Sequence, residues 1–194
     1  MTSAHNLRQR YLAMVVLLVL ISAILGSVLA FAQSGSVVAS ATPSNATPDI
    51  GEQITVEINI DVSAVEEPDD RLGSFTASLD WDPAMLAYHS NSGILAGFTG
   101  VVNTANVASG RIVFNGANPS GATNNVTVLI ITFDVVGAGT SDLDLEFSAM
   151  AAAYTFRSLL PILTVNDGQV VVSPGPDSDG DGVPDDVDNC PDTA

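Results

Sequence analysis

Between residues 54 and 62 the sequence ITVEINIDV alternates strictly, with Ile54, Val56, Ile58, Ile60 and Val62 on one face and Thr55, Glu57, Asn59 and Asp61 on the other. A period of two with one apolar and one wet face predicts a half-buried strand. The same period returns at 74–81, where Phe75, Ala77, Leu79 and Trp81 point inward and Ser74, Thr76, Ser78 and Asp80 outward. At 142–147, Leu143, Leu145 and Phe147 alternate with Asp142, Asp144 and Glu146, which puts an acidic stripe on the outer side of a buried strand. A shorter copy spans 111–115. Residues 126–136 are largely apolar on both faces, as in a strand central to a sheet, and 162–165 with 169–172 close the series. Turn signals rich in Gly, Pro, Asn and Asp separate these runs at 48–51, 68–73, 91–93, 115–121, 137–139 and 167–168. No ten-residue stretch after Ala32 has a helical period. The pattern predicts an all-β protein, an antiparallel sandwich or jelly roll of about nine short strands. Residues 33–173 are enough chain to bury a core without a disulfide or a metal.

The flanks differ from this body. Residues 1–10 carry Arg8 and Arg10 and no acid, 11–25 are apolar, and Ala30-Phe31-Ala32 ends the segment with small residues spaced one apart. Residues 1–32 are therefore expected to be a secretory signal cleaved after Ala32. The alternative is an uncleaved anchor, because 11–32 matches the roughly 20 apolar residues a spanning helix needs. Either way the remainder lies outside the membrane, secreted or at the cell surface. At the other end Pro174-Gly175-Pro176 reads as a short stiff linker.

Charge narrows the function. There is no lysine, and Arg8, Arg10, Arg71, Arg111 and Arg157 stand against 22 acidic residues, for a net charge of −17. Nucleic acid is not an expected partner, since binding it requires cations that displace condensed counterions. Such acidity suits salty or calcium-containing surroundings; a bias of the source lineage as a whole is the plainer alternative.

Catalysis has little to build on. Outside the leader the histidine is His89, and Cys190 is the lone cysteine. Asp80 and Asp82 share a strand face at about 6.6 Å, but Asp82 precedes Pro83 where a turn is expected and Asp80 belongs to a wet face. A non-enzyme is expected. Direct sugar binding needs an exposed aromatic platform; alternation turns Trp81 inward, leaving Tyr88, Tyr154 and Phe98 as candidates that serve equally well as packing residues.

The C-terminal segment 177–194 carries the sharpest motif. Asp177, Asp179, Asp181, Asp185 and Asp188 occupy positions one, three, five, nine and twelve of a loop with Gly182 at six. Calcium needs several hard oxygens converging on a tight turn, and this spacing supplies them. The expected ligands of Ca2+ are Asp177, Asp179, Asp181 and Asp188, the Val183 carbonyl, and Asp185 directly or through water. A disordered acidic tail is the alternative. An odd thiol in an oxidising compartment, Cys190 here, usually has a partner elsewhere.

Several segments together resemble the cohesin family. They are 50–53 (IGEQ) before a strand, 75–86 (FTASLDWDPAML), 93–95 (GIL), 110–114 (GRIVF), 129–135 (LIITFDV) and 167–171 (DGQVV), covering about 36–173. The resemblance implies a nine-stranded jelly roll of the carbohydrate-binding-module superfamily, acting as a non-catalytic binding module for a dockerin-like protein, or for polysaccharide, in a polysaccharide-related assembly. It also implies a partner-binding face formed by the outward residues Ser74, Thr76, Ser78 and Asp80. The best-known cohesins carry Asn and Asp where this chain has Ser74 and Thr76, so hydroxyls replace amide and charge. Residues 177–191 with Asp-Asn-Cys-Pro resemble the start of a thrombospondin type 3 repeat array, which implies shared calcium ions and a bridge from Cys190 to a following repeat absent from this chain. A carbohydrate-binding module and a structural adhesin or stalk segment are the rival readings.

Overall fold

A computed structural model describes residues 34–176 and residue 178. The expected leader at 1–32 and, apart from Ser178, the calcium motif with Cys190 lie outside the described residues. Ten strands follow in order: β1 (Val37–Pro43), β2 (Gln53–Asp61), β3 (Leu72–Asp80), β4 (Leu86–Asn91), β5 (Thr99–Asn103), β6 (Arg111–Ala122), β7 (Asn125–Val135), β8 (Gly139–Ala152), β9 (Leu163–Asn166) and β10 (Gly168–Val172). Two three-residue 3-10 turns, Val107–Ser109 and Leu160–Ile162, complete the described elements. The strands form two five-stranded sheets, ordered β4-β7-β2-β1-β9 and β10-β8-β3-β6-β5. β1 and β9 run parallel, and the other pairs are antiparallel. The architecture is the expected all-β jelly-roll sandwich.

Alternation is what makes it a sandwich. From β2 the side chains of Ile54, Val56, Ile58 and Ile60 are buried, and they meet Phe75, Leu79, Ile112, Phe114, Leu143 and Leu145 of the other sheet in one core. Burying one face of each strand removes apolar area from water at roughly 25 cal/mol per Å², the main term holding the sheets together. Trp81 turns inward as its alternation predicts and packs edge-on against Phe133 of the opposite sheet at 4.9 Å. Its indole N–H donates to the Leu86 carbonyl at 2.8 Å, so the one polar atom of the ring is satisfied in the core. Phe75 makes similar edge contacts with Phe98 and Phe114, at 5.2 and 6.2 Å.

Three expectations are corrected. Residues 115–121 are strand, not turn: β6 runs on to Ala122, paired with β5 as far as Ala117 and with β3 to Ala117 and again at Ala122, with 118–121 in the irregularity between. Its Gly116 marks a close approach, because the Phe75 ring sits 2.7 Å from where a Cβ would be. β7 is an interior strand of its sheet, between β4 and β2, but Leu129, Ile131, Phe133 and Val135 are buried while Ile130, Thr132 and Asp134 are half-exposed, so its outer face is open. β1, β4 and β5 bring the count to ten. Gly110, at φ +77°, ends the first 3-10 turn, and its Cβ would lie 2.2 Å from the Trp81 carbonyl; no other residue fits the reversal that launches β6.

Candidate functional site

The four residues picked out on β3 do lie in one row on the outer face of their sheet. The strand register sets their neighbours: Asp80 lies between Arg111 and Asp144, Ser78 between Val113 and Glu146, Thr76 between Asn115 and Ala149, and Ser74 between Ala117 and Ala151. They do not share one environment. Along the strand the face divides into a polar centre, an acidic end and an apolar end.

At the centre a groove of about 610 Å³ is lined by Thr76, Ser78, Arg111, Glu146 and Phe147 and by Leu160 of the second 3-10 turn. Ser78 is only 5 % exposed, against the expectation of a free outward hydroxyl. Arg111 covers it. The guanidinium donates to both carboxylate oxygens of Asp80 at 2.9 and 2.7 Å and to Ser78 Oγ at 3.0 Å, which closes this row on itself. Asp80 is thus paired rather than freely solvated, and Thr76 remains half-exposed in the groove.

At the acidic end Asp80, Asp82, Asp142 and Asp144 surround a shallow depression with Ser141. The β8 stripe behaves as its alternation predicts, with Asp142, Asp144 and Glu146 exposed and Leu143 and Leu145 buried. Because Asp80 already neutralises Arg111, this end and the flank of the groove are net negative. Gln169 Nε2 donates to Asp142 at 2.7 Å, and β10 covers β8 only as far as Leu143; the Leu145 N–H just beyond is taken up by Asp167 Oδ1 at 2.9 Å.

At the apolar end Ser74, Ala117, Pro119, Ala153, Tyr154 and Phe156 line a depression of about 350 Å³. Tyr154 is 64 % exposed and Phe156 83 % exposed. Phe156 holds φ +56°, a left-handed conformation uncommon for a bulky residue. The loop that carries it is pinned at several points. Asp69, itself buried, accepts hydrogen bonds from the Thr155 hydroxyl and from Arg157 Nη1 at 3.1 Å. The Ala152 and Ala153 N–H groups donate to the Arg157 and Arg71 carbonyls, Tyr154 Oη donates to the Ser120 carbonyl at 3.2 Å, and Leu159 is fully buried. Of the aromatic candidates, Tyr154 is exposed, Phe98 is buried and Tyr88 is half-buried. Phe156 was not legible as an exposed residue; its only sequence signal is isolation between Thr155 and Arg157.

The geometry offers no catalytic pair on this face. Asp80 is held by Arg111, and Asp82 Oδ1 accepts the Ala84 N–H at 2.8 Å, the turn expected before Pro83. His89 lies on the other sheet against Asp134 at 3.0 Å. There Asp134 is held below the ordinary carboxylate range, first by the Gln53 side-chain hydrogen bond and then by that of His89. Among the described residues no three His, Cys, Asp or Glu side chains are placed to hold one metal ion.

No protein-family model matches the chain, and no curated protein sequence does. Solved structures do. A non-cellulosomal cohesin from the archaeon Archaeoglobus fulgidus superposes with a TM-score of 0.55 at 15 % identity, covering 72 % of this chain and 91 % of that one. The seventh ScaB type I cohesin of Pseudobacteroides cellulosolvens gives 0.56 at 15 % identity, over 73 % and 95 % of the two chains. The sixth cohesin of Acetivibrio cellulolyticus scaffoldin B, solved in complex with a dockerin, gives 0.57 at 10 % identity over 71 % and 99 %. The sandwich described here is built on the cohesin fold.

Proposed function

We propose that this chain is a non-catalytic docking module that binds a dockerin-type protein through the outer face of the β8-β3-β6-β5 strands, in an extracellular assembly. The observation that carries the reading is this open face. Its β3 row borders an open groove, flanked on the β8 side by Leu160 of the second 3-10 turn and by β9, and it belongs to a fold whose solved examples include complexes with dockerins. The protein reaches the outside through its 1–32 leader, and the 177–194 segment binds Ca2+ through Asp177, Asp179, Asp181, Val183, Asp185 and Asp188. Cys190 bridges to a following thrombospondin type 3 repeat.

The test is a pull-down with the immobilised protein against a dockerin panel, the source organism's secreted proteins and insoluble polysaccharides, with and without calcium. Retention of a dockerin-bearing protein that is abolished by Thr76→Arg, placed in the central groove, supports docking on this face. Retention only on polysaccharide retires the docking reading in favour of a carbohydrate-binding module.

A further inference from the structure

The two ends of the face differ in chemistry and lie at a fixed separation. Ser74 and Asp80 are six residues apart on β3, roughly 20 Å at the rise of an extended strand. From one end to the flank of the central groove, Asp142, Asp144 and Glu146 present carboxylates, and the nearby Arg111 is committed to Asp80. At the other, the Phe156 ring stands 83 % exposed beside an apolar depression. An exposed bulky ring with a left-handed backbone is unfavourable on both counts, and it persists only because Asp69, Tyr154 and Leu159 fix the loop around it. Strain and exposure held in place by surrounding structure point to a part of the surface that is used.

We propose that this apolar end is the anchor of the docking face, and that its occupant is a protein segment with a bulky aliphatic or aromatic side chain seated against Phe156 and Tyr154, and lysine or arginine side chains on Glu146 and Asp144, roughly 13 and 20 Å along the strand from Ser74. The inference rests on the docking reading and adds the chemistry of the partner. Charge complementarity selects a basic segment and rules against a second copy of this chain, which would bring the same acidic face to its own. A sugar fits the depression poorly: apart from Ser74 and Asn118 its walls are apolar, and the Tyr154 hydroxyl proton is already donated to the Ser120 carbonyl. An exposed aromatic in a pinned loop next to a pocket has the form of a binding hot spot, large in contact area and low in ordering cost.

The experiment is selection of a displayed library of random 20-residue peptides on the intact protein, followed by affinity measurements of the enriched peptides against variants. The expected result is enrichment of peptides combining Lys or Arg with Leu, Ile, Met or Phe. Their binding falls at least tenfold with Phe156→Ala and with Asp144→Asn/Glu146→Gln, and stays within twofold with Glu57→Gln on the outer face of β2. Trp81 fluorescence confirms that each variant is folded. Peptides lost with Thr76→Arg but indifferent to Phe156→Ala overturn the anchor and leave the docking face standing. No enrichment, or enrichment indifferent to every substitution on this face, overturns both, and cellohexaose displacing the peptides in a Phe156-dependent way overturns the protein occupant in favour of glycan.

Discussion

The pin beneath the aromatic loop makes a quantitative prediction, because its two partners are buried unequally. The Asp69 side chain is 4 % exposed and that of Arg157 is 42 % exposed. Truncating Arg157 leaves a buried carboxylate with only the Thr155 hydroxyl for company, at a cost of about 2–4 kcal/mol. Truncating Asp69 removes the buried charge itself; Arg157 turns to water, and the loss is confined to two hydrogen bonds and a small void, about 1–2 kcal/mol. Arg157→Ala is therefore more destabilising than Asp69→Ala. The double variant Asp69→Ala/Arg157→Ala is more stable than Arg157→Ala alone, so the second truncation recovers stability. Trp81 is the only tryptophan and is buried, so its emission follows unfolding in urea. The midpoints compare stabilities provided the slopes agree. A loss of 3 kcal/mol corresponds to on the order of 10 °C in a domain of this size. A double variant less stable than Arg157→Ala would refute the reasoning, and would show that removing the arginine lets water reach Asp69.

Phe156→Gly relieves the left-handed strain, worth about 1–2 kcal/mol for a residue with a side chain, against roughly 0.5–1 kcal/mol of extra chain entropy in the unfolded state; urea melts should show stability unchanged or slightly raised while peptide binding is lost. Gly110→Ala combines a positive φ with a Cβ 2.2 Å from the Trp81 carbonyl, and should cost about 2–4 kcal/mol in the same melts. Asp134 has a folded pKa below its unfolded one, so its stabilising contribution is complete above the ordinary carboxylate range and is lost as pH falls below about 4 through the depressed value. Gln53→Ala removes the largest cause and should move the Asp134 titration upward, as read by NMR of the side-chain carboxyl. Calorimetric titration of the C-terminal segment with Ca2+ should give a Kd of about 10⁻⁴ to 10⁻³ M, the range of extracellular modules, and binding should vanish in Asp179→Asn/Asp181→Asn.

What the sequence made legible follows from one physical condition, a strand with one wet face. β2, β3 and the Asp142–Phe147 part of β8 satisfy it, and there the period of two identified the inward Trp81 and the outward acidic stripe. β1 escapes because its inward residues include Ala39 and Ala41, too small to stand out, and β5 because its outward Val101 is 61 % exposed and breaks the alternation. β6 hides behind Asn, Pro, Ser and Gly, residues that end most strands; Asn115 and Gly116 lie here between two pairing neighbours, and 118–121 form an irregular stretch before the strand rejoins β3 at Ala122. The cohesin fold was legible from segments spread over the chain. The site was legible as a row on β3 but not as three environments, since those depend on long-range partners. Arg111 reaches Asp80 across 31 residues of sequence and Arg157 reaches Asp69 across 88, distances over which no local pattern operates. The calcium spacing is the reverse case, complete in sequence and lying outside the described residues.

On the docking reading proposed above, the hydroxyls of Ser74 and Thr76 place the binding energy away from the middle of the face. Ser74 and Thr76 are short, Ser78 is sealed under Arg111, and the Arg111–Asp80 pair satisfies itself, so the middle of the face offers a partner few unspent hydrogen-bonding groups. An interface with a quiet centre must draw its energy from elsewhere, since a few well-placed residues carry most of the affinity in protein contacts. Here the available sources are the exposed acids of β8 and the Phe156 ring, which act by different physics. The acids steer and orient at long range and weaken as salt screens them, whereas the ring contributes only on contact, by burying area. A partner that matches one end alone therefore gains either speed of encounter or adhesion, and only one that matches both across the length of β3 gains the two together. Under the docking proposal, selectivity is therefore assigned to a spacing between two chemistries rather than to a code of central hydrogen bonds.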